Sequence, residues 1–158
     1  YLLAVLNSKV SDFYFSQKTA KIAGGRMRYT KQYVEQIPIP KLDIPEQRPF
    51  IFLVDCILFL KGQQHLDSSI KKITYFFENV IDVLVAELYF KEEINKNGFQ
   101  ISDELKKETN FNSVINLQTL SNLFKALSGS QSSVGKAVNT LKNFEPYKTI
   151  DSALNFKS

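Results

Sequence analysis

Residues 43–62 read DIPEQRPFIFLVDCILFLKG. Asp43 can cap a helix, Pro45 is tolerated in a first turn, and Glu46 falls at the reciprocal position of a capping box. Phe50, Leu53, Val54, Ile57, Leu58 and Lys61 then recur at helical spacing. Ile51, Phe52, Phe59 and Leu60 make the segment apolar most of the way round, which predicts a deeply packed helix over about 44–61. Pro49 removes one backbone donor, so a kink or a delayed start is expected there. Gly62 fits the C-terminal cap.

A second long helix is predicted over about 68–93. Asp67 or Ser68 would cap it, and Ile70, Ile73, Phe77, Val80, Ile81, Leu84 and Leu88 form its stripe. Two such helices across a short turn make an antiparallel hairpin. Leu53, Val54, Ile57, Phe77, Val80, Ile81 and Leu84 are its expected core. Beyond it, Ser102 opens a short helix. Leu117, Leu120, Leu123, Phe124 and Leu127 form another stripe, and Val134, Ala137, Val138 and Leu141 one more, ended by Pro146. Upstream, Leu2, Leu3, Leu6, Val10, Phe13 and Tyr14 predict one helix running to about residue 18. Gly24-Gly25 ends any helix, and Thr30 can cap a brief turn over 31–35. Ile37-Pro38-Ile39-Pro40 must be extended. The fold class is therefore mostly α, a helical hairpin or bundle, with at most a short two-stranded element near residues 26–39.

The chain has 158 residues, 44% of them hydrophobic, enough for a real core and against disorder. No apolar run approaches the roughly 18 residues of a membrane span. Cys56 is the single cysteine, so an internal disulfide and a multi-cysteine zinc site are excluded, and a reducing cytoplasm is the natural setting. The first residue is Tyr1 and the helical stripe is already under way at Leu2, which reads as the C-terminal piece of something longer. Net charge is +4, but residues 1–41 carry seven cations against two anions, a local +5. The remainder holds thirteen cations and fourteen anions, so a polyanion partner should meet the first quarter.

Catalytic constellations fail one by one. Residues 129–137 (GSQSSVGKA) look like a phosphate-binding loop, but the glycine spacing is one residue too long. Ala137 stands where a magnesium-binding hydroxyl belongs, and the run follows a helical stripe rather than a strand. A helix–loop–helix is expected instead. Glu104-Leu105-Lys106 matches half of a nuclease motif but sits on a predicted helix without the second carboxylate. His65, the sole histidine, has no carboxylate or cysteine at ligand spacing. Cys56 on its apolar helix reads as a small core residue. No catalytic or metal-ligating residue is assigned.

Leu2-Leu3-Ala4-Val5-Leu6-Asn7-Ser8-Lys9, then Gly24-Gly25-x-x-Arg28, Lys31-Gln32-Tyr33-Val34-Glu35-Gln36 and Ile37-Pro38-Ile39-Pro40, form an ordered set. That set resembles the end of the TaqI-like specificity domain, the target-recognition part of adenine-specific DNA methyltransferases and type IIG restriction–modification enzymes. Continuation through Ile44-Pro45-Glu46-Gln47 into a long helix also looks like type I specificity subunits. Residues 76–82 and 87–90 look like the tail of large type IIG proteins. No such likeness extends past about residue 100.

The resemblance implies a bacterial or archaeal, cytoplasmic parent that binds double-stranded DNA and methylates adenine with S-adenosylmethionine, and that needs Mg2+ where it also cuts. Neither the Asn-Pro-Pro-Tyr-type catalytic motif nor the glycine-rich cofactor motif stands in this chain, so neither cofactor is assigned to it and no enzymatic activity is expected of it. Residues 1–41 would be the end of the recognition domain, 42–93 a two-helix spacer, and 94–158 a short-helix tail packing on the spacer. Partners would be duplex DNA and the upstream methyltransferase and recognition domains, with no membrane. Lys18, Lys21, Arg26, Arg28 and Lys31 would approach phosphates, and Tyr29 and Gln32 could reach a base edge, with Gly24 and Gly25 as the hinge. The competing reading is a helical scaffold or protein-interaction module.

Overall fold

The computed structural model describes residues 1–18, 31–63, 67–96, 100–141, 143, 145 and 147–155. Among them lie ten helices and no strand, so the fold is mostly α. The helices are α1 Leu2–Leu6, α2 Lys9–Lys18, α3 Lys31–Val34, α4 Ile44–Gln63, α5 Ser68–Tyr89, α6 Lys91–Asn95, α7 Ile101–Glu108, α8 Leu117–Ser128, α9 Ser133–Leu141 and α10 Tyr147–Asn155.

The α4–α5 pair dominates the packing. Half of the anticipated capping box forms, with the Glu46 carboxylate accepting the Asp43 N–H at 3.0 Å. The helix runs through Pro49, which is buried, so the start is not delayed and one backbone bond is forgone. Gly62 lies inside the helix rather than at its cap. Asp67 caps α5 by accepting the Ser69 N–H at 2.8 Å. The buried face of α4 is Phe50, Leu53, Cys56 and Leu60, with Phe52 beside it. Val54 and Ile57, expected in the core, are only half-buried. They flank a groove instead, because the core-facing stripe follows residues 53, 56 and 60.

Helix α5 is the hub. It packs against α1, α2, α4, α6, α7, α8 and α9. Phe77, Val80, Ile81 and Leu84 are buried as the stripe requires. The expected run to Glu93 breaks at Phe90, whose φ of −126° and ψ of 39° leave the helical region. The turn brings Ile94, on α6, into the core at 2% exposure. The buried side chains form one cluster that draws on α1, α2, α4 to α9 and α10.

The first helix is two helices. Ser8 closes α1 and opens α2: its hydroxyl donates to the Val5 carbonyl at 2.7 Å and accepts the Ser11 N–H at 3.3 Å. The Ser11 hydroxyl donates to the same Val5 oxygen at 2.6 Å. That break resets the helical phase. Ala4, Val5, Val10 and Phe15 turn inward, while Leu2 and Leu3 are about half exposed, at 52% and 48%. Helix α10, beyond the expected last stripe, packs on α2 and buries Tyr147 and Ile150.

A candidate nucleic-acid interface and its anchor

Of the residues proposed to meet DNA, Lys18, Lys31 and Gln32 fall within the described part. Lys21, Arg26, Arg28, Tyr29 and the hinge Gly24-Gly25 lie outside it. Lys18 ends α2 in an exposed position, with its ammonium 6.0 Å from the centre of the Tyr14 ring. Lys31 opens α3, exposed and 3.6 Å from Glu35. An ion pair so open to water is weak, and a phosphate can take its place. Gln32 is exposed beside it. Lys18, the last described residue before the basic segment, and Lys31, the first after it, are both on the surface.

The segment after α3 is held by a device with no local sequence signal. Residues 36–39 form no strand, within the bound of at most one short two-stranded element near 26–39; a turn passes into irregular chain. Pro38 and Pro40 have no N–H, so a ladder could not be completed through them. Three tyrosines hold the carbonyls instead. The Tyr14 hydroxyl donates to the Gln36 oxygen at 3.2 Å, Tyr89 to Pro38 at 3.0 Å and Tyr1 to Pro40 at 2.7 Å. The three carbonyls belong to alternate residues, 36, 38 and 40. Burial raises the Tyr1 phenol and pushes Tyr89 up to about 12, so both remain donors through the physiological range. Ile37 is buried between these contacts. Phe13, Tyr14, Tyr89 and Phe90 line an apolar cleft of about 220 Å³ beside it.

A second device sets the helix starts. Three helices receive a carboxylate from another helix at their first turn. Asp82 of α5 accepts the Lys9 N–H of α2 at 2.9 Å. Glu87 of α5 accepts both the N–H and the hydroxyl of Ser102 in α7, each at 3.0 Å. Glu108 of α7 accepts the Ser133 N–H of α9 at 2.8 Å and the Ser132 hydroxyl at 2.6 Å. Each meets the positive end of a helix where amides lack intrahelical partners. Asp82 is 9% exposed, and burial pushes its carboxyl up to about 6 against the opposing pull of the Lys9 amide and ammonium. Burial likewise raises Glu87.

The motifs set aside in the sequence behave as packing. Glu104 pairs with Lys107 at 2.7 Å on the surface of α7, while Leu105 is fully buried. Cys56 is fully buried. His65 lies outside the described residues, among which no group of three His, Cys, Asp or Glu is placed to hold a metal ion. No described helix is long and apolar enough to cross a membrane. Residues 129–137 form the anticipated helix–loop–helix. Gly135 sits within α9, and a Cβ there would lie 2.5 Å from the Leu127 carbonyl oxygen. Gly135→Ala should therefore destabilise the chain by about 1–3 kcal/mol in denaturant melts, despite the gain of about 1 kcal/mol in helix propensity. A variant as stable as the parent would show that α9 can move off α8 freely.

Compared with protein-family models, with curated proteins and with solved structures, the chain matches none.

Proposed function

We propose that this chain is the DNA-recognition end and helical spacer of a restriction–modification enzyme, contributing backbone contacts to duplex DNA and no catalysis of its own. The observation that carries the reading is the confinement of the positive excess to residues 1–41, in the same stretch that bears the resemblance to a TaqI-like specificity domain. The exposed Lys18 and Lys31, and the tyrosine-held exit after α3, support it. A rigid helical body would then fix where the basic segment meets the phosphates, while methyl transfer with S-adenosylmethionine, and any Mg2+-dependent cleavage, would belong to upstream parts of the parent.

Replacing Arg26, Arg28 and Lys31 together by Ala tests it. Affinity for duplex DNA should fall at every sequence. The slope of log affinity against log salt should flatten by up to about 0.9 for each phosphate that is no longer neutralised. The chain by itself should bind weakly and with little sequence preference, since backbone contacts position rather than specify. Unchanged affinity and an unchanged slope would reduce the basic quarter to a solvated face. The alternative, a helical scaffold or interaction module, is favoured by one observation: Leu2, Leu3, Ile51 and Leu58 are exposed on α1 and α4.

A further inference from the structure

Helix α4 has two apolar faces. The inner one, through Leu53, Cys56 and Leu60, meets the core. On the outer one Ile44, Ile51 and Leu58 stand seven residues apart, at 82%, 42% and 56% exposure. Seven-residue spacing brings them to one line along the helix, and Gln47, Val54 and Lys61 occupy the second line of the same seam. Beside the seam runs a groove of about 430 Å³ between α1, α2, α4 and α5, lined half by apolar side chains such as Leu3, Val54 and Leu58 and half by polar ones such as Lys9, Asp12 and Glu78. A helix laid along α4 would cover both.

The charges bracketing the seam identify the occupant. Arg48 and Asp55 flank Ile51, one turn before and one turn after it. If a second α4 lies antiparallel with a two-fold axis near residues 52–53, Arg48 of each copy comes within two positions of Asp55 of the other; its guanidinium donates to Asn112 of its own chain and keeps further N–H donors for that contact. Ile51 meets Val54, and Ile44 meets the seam next to Lys61. Asp43 and Glu46 then approach Lys61 of the opposite copy, which pairs with Glu78 of its own α5 at 2.8 Å. A parallel arrangement would set Lys61 against Lys61 and Gln47 against Gln47. The surface is thus complementary to itself under a two-fold rotation, as an isologous interface requires. We infer that two copies of this chain associate through antiparallel α4 helices, the outer seam of each lying against that of the other. The association goes beyond the DNA reading and does not depend on it.

Sedimentation equilibrium on the whole chain without DNA tests it. The apparent mass should rise with concentration towards that of a dimer. Ile51→Glu and Leu58→Glu change exposed positions, so circular dichroism should be unaltered, while dissociation constants rise by roughly tenfold or more. Arg48→Asp and Asp55→Arg should each weaken self-association. Mixed together they should pair with one another, because both charge contacts of the heterodimer are then opposite in sign. Mixing Ile44→Cys with Lys61→Cys should give a cross-copy disulfide. The native Cys56 should not compete, since it is fully buried and its thiol is pushed up to about 12 by burial and then by Asp55. A chain that stays monomeric at every concentration would overturn the inference. So would a dimer indifferent to Ile51→Glu, or one that oxidises through Ile44→Cys paired with itself. Loss of DNA binding in the Arg26, Arg28 and Lys31 variant would leave each of these outcomes unchanged.

Discussion

Phe77→Ala should lower the unfolding free energy by about 3–5 kcal/mol. Phe77 is fully buried on α5, with Phe76 next to it 5.3 Å from the Phe124 ring of α8. Truncation removes a fully buried ring and leaves a cavity that the helices packed on α5 cannot fully close, because each is held to α5 by other contacts. Such a loss is a large part of the stability of a domain this size. Tyr75→Ala, two positions away at 61% exposure, should cost well under half as much in the same urea titration. Equal losses at the two positions would mean that the α5 stripe does not face the core.

The second large effect concerns Asp82 and has a definite sign in pH. Its carboxyl sits at about 6 in the folded chain against an ordinary value of 3.8, chiefly because it is buried. A raised carboxyl binds its proton more tightly in the folded state than in the unfolded one. Stability should therefore be greatest below about pH 4 for this group and fall as pH rises through about 6, by an amount on the order of 3 kcal/mol. Glu87, raised by burial too, adds in the same direction. Asp82→Asn keeps an oxygen for the Lys9 N–H and removes the charge, so it should remove most of this slope and match or exceed the parent at pH 7. Asp82→Ala leaves that amide without its acceptor and should fall about 1–3 kcal/mol below Asp82→Asn throughout. Denaturant midpoints at pH 5 and pH 7 give both comparisons. An Asn variant markedly weaker than the parent at pH 7 would mean that the carboxylate stabilises α2 more than its burial costs.

What can be read from the residues, and what cannot, divides by range. The α4–α5 hairpin is legible because its signals are local: Glu46 lies three residues from Asp43, and the apolar stripes repeat within one helix. The split between α1 and α2 depends on Ser8 and Ser11 bonding to the Val5 carbonyl. Serine marks a possible start in many helices, so the break cannot be chosen over the apolar repeat that spans it. Phe90 is apolar and continues the pattern of α5, yet burial of Ile94 turns the chain there. In α10 the spacing of Tyr147, Ile150 and Leu154 is helical too, but it is too short a stripe to stand out after Pro146. The carboxylate caps and tyrosine anchors join residues far apart in sequence: Asp82 to Lys9, Glu87 to Ser102, Tyr89 to Pro38. A linear pattern carries no sign of them. For the candidate interface, charge placement leads to Lys18, Lys31 and Gln32 on the surface, but the tyrosines that hold the chain beside them have no motif to announce them.

Residues 79–87 of α5 are all buried, so for more than two turns this helix has no side facing water. A helix on a protein surface can fray from its exposed side while the rest of the molecule persists. Here each turn that opens must first part several neighbours. Asp82 and Glu87 add to this by fastening the beginnings of α2 and α7 to the same turns. Cooperativity is thus built into one element: segments separated widely along the chain lose their anchorage in a single event, and α2, which ends at Lys18, is lost with the centre of the molecule rather than before it.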